Sequence, residues 1–241
     1  MTMKQDLFLK IQNQWLYGEK MEIDILKLSL TIDTYLSKRD AEKIRGYLGN
    51  LYRENSYIHQ HDLEGNPIYR YPRLQYKVID GACVIIAFKE GLKMAEDSFH
   101  NLKLLNLNGK WEEVLTKGLE SYIANFSISS DPIKYSFLTP WLALNQKNYE
   151  KYQKLGSMDK RKELLENILI GNIISISKSL GYTVPVPIEA NIHHVKEVKT
   201  SLKDTPMVGF LGDFSVNFEI PDYWGIGKSV SKGFGTVKRV G

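Results

Sequence analysis

Two groups of residues in this chain could do chemistry on an anionic substrate. His59-Gln60-His61 sets two imidazoles two residues apart, and in an extended segment such a pair faces one way. Histidine titrates near pH 6.5, so one ring could take a proton while the other gives one. The same residues also fit a solvated polar loop with two incidental histidines. Zinc is the weakest reading, because the single cysteine, Cys83, is distant and no second close cluster accompanies the pair. The second group closes the chain. Gly225-Ile226-Gly227 and Gly233-Phe234-Gly235 bracket five residues that include Lys228 and Lys232; Lys238 and Arg239 follow, and no acid lies beyond Asp222. Glycines let backbone N–H groups approach an anion closely, so the segment predicts a phosphate cradle; the alternative is a flexible basic tail. It is not a P-loop, since Asp222 stands where the first glycine belongs and no helix-length stretch follows. Val230 likewise breaks the dinucleotide fingerprint.

Both groups need a scaffold. A chain of 241 residues, 43% hydrophobic, can bury one large core or two small ones. Its net charge is only +4, so a polyanion must be held by a local patch rather than by bulk charge. One cysteine inside the apolar run at 82–88, and no secretory leader, predict a reducing, cytoplasmic setting. No apolar run approaches the length of a membrane span.

Periodicity repeats one pattern twice. Residues 23–35 alternate as a strand, with Ile23, Ile25, Leu28, Leu30 and Ile32 implying a slip near Lys27. Ser37 and Asp40 signal a helix start, and Ala41, Ile44, Leu48 and Leu51 keep helical spacing over 37–54. Two β-rich runs then flank Asp80-Gly81, a hairpin signal. A short helix near 91–100 and the apolar run 102–107 complete a strand–helix–strand–strand–helix–strand order. Residues 110–130 look helical and link the halves. The second half offers a strand-like run at 134–145 and a helix from Ser157 and Asp159 to Gly181, striped by Leu165, Ile168, Leu169, Ile173, Ile176 and Leu180. Two further strands and a final strand after the glycine segment follow. The division is placed at 1–130 and 131–241.

A tandem of this kind, ending in the spacing of Gly225, Gly227, Gly233 and Gly235, resembles the RAMP superfamily of CRISPR-associated proteins, specifically the endoribonucleases that process precursor CRISPR RNA. The resemblance implies an α+β fold of tandem ferredoxin-like (RRM-like) domains and metal-independent cleavage with no cofactor. It also implies CRISPR repeat RNA as partner, with other CRISPR effector subunits or a second copy of the chain as further candidates. The products would be mature guide RNAs with 2′,3′-cyclic phosphate ends. In that family the histidine belongs to the N-terminal domain, in or near its first helix, which singles out His59 and His61 as the catalytic pair. A RAMP protein that binds repeat or guide RNA without cutting it is the alternative.

Cations and rings suggest where RNA would lie. Tyr69, Tyr71 and Tyr76 interleave with Arg70, Arg73 and Lys77; cations hold phosphates and rings stack on unpaired bases. An amphipathic edge strand explains the same residues. With Gly225, Gly227, Lys228, Lys232, Gly233, Gly235, Lys238 and Arg239, they form the expected RNA-binding set. Lys38, Arg39, Lys43, Arg45 and Arg53 add charge to the first helix, although Glu42 and Glu54 offset it. The basic start of the second long helix, Lys160-Arg161-Lys162, is a secondary candidate.

Overall fold

The computed structural model describes residues 19–52 and 70–241. Its elements are β1 (Met21–Ile32), α1 (Asp40–Leu51), β2 (Leu74–Ile79), β3 (Ala82–Phe88), α2 (Leu92–Asn101), β4 (Leu104–Leu107), β5 (Lys110–Phe137), α3 (Gln146–Lys154), α4 (Met158–Leu180), β6 (Ala190–Leu202), β7 (Thr205–Glu219) and β8 (Val237–Arg239). Strand order is β2-β3-β1-β5-β7-β6, with β4 and β8 also paired to β5. Two ferredoxin-like units result. In the first, β5 lies beside β1 as the fourth strand; in the second, β5 is the first strand, flanked by β8 and β7.

One strand therefore belongs to both units. This corrects the helical reading of 110–130, which is strand throughout, and the reading of 102–107 as the fourth strand. Leu104–Leu107 instead forms a hairpin with the start of β5 across Asn108-Gly109, whose φ values are 57° and 92°. The ladder of β5 is interrupted at two irregularities. Leu115 is skipped in its pairing with β1, and register shifts between Ile128 and Ile133 against β7. The division expected after residue 130 falls in the second.

β1 carries no slip near Lys27, since its pairing with both neighbours runs unbroken from Ile25 to Leu30. The change of parity has another cause: the strand is covered on both faces. Leu26, Leu28 and Leu30 pack under α1 and α2, while Ile23 and Ile25 join a core that also contains Phe126, Trp224, Ile226 and the α4 stripe. That second core crosses both units, so they share an interior rather than a linker. Phe88 and Trp224 stack across it with centroids 4.4 Å apart; such pairs add about 0.5–1.5 kcal/mol to area burial.

Local signals explain the helix ends. Asp40 accepts hydrogen bonds from the Ser37 backbone N–H (2.8 Å) and hydroxyl (2.7 Å) to start α1. Ser157 accepts from Lys160 N–H at the start of α4, and Gly181 ends it at φ 79°. The strand-like run at 134–145 keeps strand structure only to Phe137; beyond it, Trp141 bridges to Phe210, and Asn145 caps α3.

Candidate functional site

The glycine segment is packed into the seam between the two units. Gly235 has φ 63°, and a Cβ there would overlap the Ile226 carbonyl oxygen; Gly233 has φ 90°, and a Cβ there would lie 2.8 Å from the Ala41 side chain at the start of α1. These two positions require glycine because backbone meets backbone and helix. Gly225 lies against Val230, and Gly227 against the Trp141 indole. Two of the N–H groups expected to face an anion are spent inside the protein: Gly225 donates to Gln75 Oε1 (2.8 Å) and Gly235 to the Pro140 carbonyl (2.9 Å). The segment is a structural wedge whose lysines reach outward.

Beneath it lies Lys77. Alternation does put Arg73, Gln75 and Lys77 on one face of the β2 segment, but the second unit covers that face. Lys77 is fully buried, and its Nζ donates to Gln75 Oε1 at 3.1 Å. Loss of hydration pushes its pKa down to about 7. Arg73 is likewise a strut: it pairs with Glu90 (3.3 Å), donates to the Tyr71 and Ser179 carbonyls, and lies over the Phe88 ring. Burial lowers its pKa. Lys77 thus leaves no surface in solvent, and the Arg73 guanidinium, with 10% of its side chain exposed, is engaged within the protein. Tyr71 donates to the Gly225 carbonyl, and Tyr76 is buried under α1.

The open site is a cleft of about 970 Å³ between α1, the β4–β5 turn, the tip of the β6–β7 hairpin and the glycine segment. Lys38, Arg39, Lys43, Lys199, Lys203 and Lys232 line it against two acids, Glu42 and Asp204. The hairpin tip turns through Lys203 and Asp204, both left-handed at φ 47° and 59°. Glu42 ties the walls together, accepting from Lys232 Nζ at 2.6 Å and from the Lys203 backbone at 3.4 Å. Burial alone would raise the Glu42 pKa; the Lys232 hydrogen bond and charge outweigh it and hold the carboxyl below its ordinary range. Lys38 donates to the Leu138 carbonyl, and Lys43 pairs with Asp40.

The structure brings Lys232 and Gly233 to this cleft and leaves other expected residues elsewhere. Lys228 is exposed and donates to the Leu144 carbonyl, with burial lowering its pKa. Lys238 and Arg239 are exposed on β8, where Lys238 lies 5.6 Å from the Tyr223 ring. Arg70 begins the segment leading into β2. His59, His61 and Arg53 lie outside the described residues. The chain is described to Tyr52, two residues past the cleft-lining Asn50, and resumes at Arg70. Among the described residues no histidine lines the cleft, and His193 and His194 line a separate hollow near the start of α4.

Sequence reasoning missed Tyr47, Trp111, Lys199 and Lys203 in the cleft. Asn108-Gly109 was the signal that could have placed Trp111 on a hairpin.

Comparison with known proteins agrees with this architecture. Residues 21–124 match the Cas6b N-terminal domain and residues 127–240 the Cas6b C-terminal domain. A crystal structure of Cas6b is 37% identical and superposes with a TM-score of 0.83, over 91% of this chain and 100% of that one. A second, described as CRISPR RNA processing endoribonuclease Cas6b, is 35% identical with a TM-score of 0.73 and the same coverage. An uncharacterized protein of Methanocaldococcus jannaschii is 45% identical over 140 residues, which are 58% of this chain and 95% of that protein. With both halves matched in order, a shared β5 joining them and the glycine wedge in the seam, the chain belongs to the Cas6b family.

Proposed function

We propose that this protein is an endoribonuclease that processes CRISPR RNA, cutting at the repeats without a metal ion. The observation that carries the reading is the cleft: six cations against two acids, walled by the glycine segment of a Cas6b-family chain. Lysines and arginine hold consecutive phosphates there, and base contacts supply sequence preference. The 2′-hydroxyl attacks the adjacent phosphorus as its proton leaves to a base. The bond to the 5′-oxygen breaks as that oxygen gains a proton from an acid, leaving a 2′,3′-cyclic phosphate. His59 and His61 are assigned to these proton transfers; they follow α1 in sequence, and the described chain stops beside the cleft. Lysines in the cleft stabilise charge on the phosphorane. Arg70, Lys228, Lys238 and Arg239 are assigned to RNA outside the cleft. The halves 1–130 and 131–241 are assigned to catalysis and to the glycine wedge, respectively.

A non-cutting RNA-binding protein is the second reading, favoured by the lack of a histidine on the cleft among the described residues. Incubating end-labelled repeat RNA with the protein in EDTA separates the two. EDTA-resistant cutting to a cyclic-phosphate end, slowed about 100-fold or more by His59→Ala or His61→Ala, supports the nuclease and its acid–base pair. Cutting that survives both changes moves catalysis to other residues, and tight binding without cutting selects the second reading.

A further inference from the structure

Trp111 stands out on the described surface. It leaves 59% of its area in solvent, and an indole at the surface offers a large rigid ring with a polar N–H, the kind of side chain enriched where a partner docks. Its placement is tightly specified. The two-residue Asn108-Gly109 turn sets the register of the β4–β5 hairpin, which pairs Asn106 with Trp111. Tyr47 on α1 meets the indole at a ring separation of 5.8 Å and an interplanar angle of 88°. Both rings line the basic cleft, together with the amides of Asn50, Asn106 and Asn108. Asn106 accepts from Gly109 N–H through its carbonyl oxygen, which leaves its NH₂ group as a donor.

Resting on the RNA-processing reading, we propose that Trp111, braced by Tyr47, is a stacking platform for one unpaired base, and that the cleft takes a single-stranded stretch of RNA rather than continuous duplex. A base inside a helix already has neighbours on both faces, so only an unpaired or terminal base gains by stacking on the indole. The edge contact from Tyr47 holds the ring before RNA arrives, so little ordering cost falls on binding. Nearby amides can meet the edge of the stacked base, while Lys43 on α1 and Arg39 just before it meet its phosphates. Leu104 and Leu115 are also exposed on this hairpin, which would suit a protein partner. Neither lines the cleft, whereas Trp111 does, and the ring's surroundings are cationic and amide-rich.

The test uses the full chain with a repeat-length unstructured RNA carrying 2-aminopurine at successive positions, and a blunt RNA duplex as the comparison. Wild type should quench the probe most strongly at one position. Trp111→Ala should abolish that maximum and weaken single-strand binding about 10-fold or more, with duplex binding and the salt dependence unchanged. Trp111→Phe, which keeps a ring, should restore most of both. Unaltered quenching and affinity in Trp111→Ala overturn the platform while leaving the nuclease reading intact. A change in oligomeric mass without a change in RNA binding overturns it in favour of a protein partner. If wild type binds neither RNA, the underlying reading falls as well.

Discussion

Replacing Lys77 with methionine should stabilise the protein at neutral pH. Lysine titrates near 10.5 in an unfolded chain, and burial in the seam brings it to about 7. Between those values the unfolded chain holds a proton that the native protein excludes, so native stability rises with pH by about 1.4 kcal/mol per pH unit. At pH 7 the penalty comes to about 4 kcal/mol, falling to about 2 kcal/mol by pH 9. Lys77→Met keeps most of the packed stem and abolishes the titration. Gln75 loses one donor to its Oε1 but keeps Gly225 N–H. For a chain of this length 1 kcal/mol moves Tm by roughly 2–4 °C, so the variant should melt about 10 °C higher at pH 7. The gap should narrow by about half at pH 9 and to about a fifth at pH 10. Circular-dichroism melts of both proteins from pH 6 to 10 measure this. Parallel Tm profiles, or a variant less stable than wild type at pH 7, would refute the account of Lys77 as a buried lysine with no carboxylate partner among the described residues.

Gly235→Ala must place a Cβ against the Ile226 carbonyl at φ 63°, and should cost about 2 kcal/mol or more by urea unfolding. Glu42→Gln removes the acid that draws Lys232 and the Lys203 backbone together. Because the native Glu42 pKa is lowered, its stabilising share is present at neutral pH and vanishes as pH falls through that pKa. Wild type should therefore lose more stability than the variant between pH 6 and 3, by about 1 kcal/mol or less for a pair still partly in solvent. RNA affinity of Glu42→Gln should rise at low salt, as the cleft becomes more positive. Lys38→Gln, Lys43→Gln and Lys199→Gln should each flatten the plot of log affinity against log salt by about 0.7 for a phosphate contact on single-stranded RNA; an unchanged slope removes that lysine from the RNA path.

Local features of the fold were legible where local chemistry determines them. Asp80-Gly81 makes the β2–β3 turn with φ 51° and 79°, and the apolar stripe of α4 is buried at Leu165, Leu169, Ile173, Ile176 and Leu180, with Ile168 partly covered. Residues 110–123 misled because Glu112, Glu113, Leu115, Lys117, Leu119 and Glu120 favour a helix on propensity alone. Pairing along all of β1 overrides that preference. The cleft was illegible for a different reason. Lys38, Trp111, Lys199 and Lys232 come from four distant segments that only the sheet order brings together. Lys77 shows the same limit: only the tertiary fold brings Gly233 against its backbone and buries its side chain.

β5 also acts as a measuring rod. Twenty-eight residues of strand would span roughly 90 Å if straight, yet Trp111 near its start and Pro140 just past its end border the same cleft. The strand therefore curves back on itself, and its ladder breaks at two places along the way. Between Ile128 and Ile133 the strand takes five steps while β7 takes two, from Phe218 to Val216, so this break already holds three surplus residues outside the ladder. Removing one of them should leave the pairs from Ile133 to Ser136 in register, with Tyr135 still facing inward, and shorten the path between the cleft walls instead. Length changes at this break should therefore alter the size of RNA segment the walls can grip without reversing the faces of the second unit.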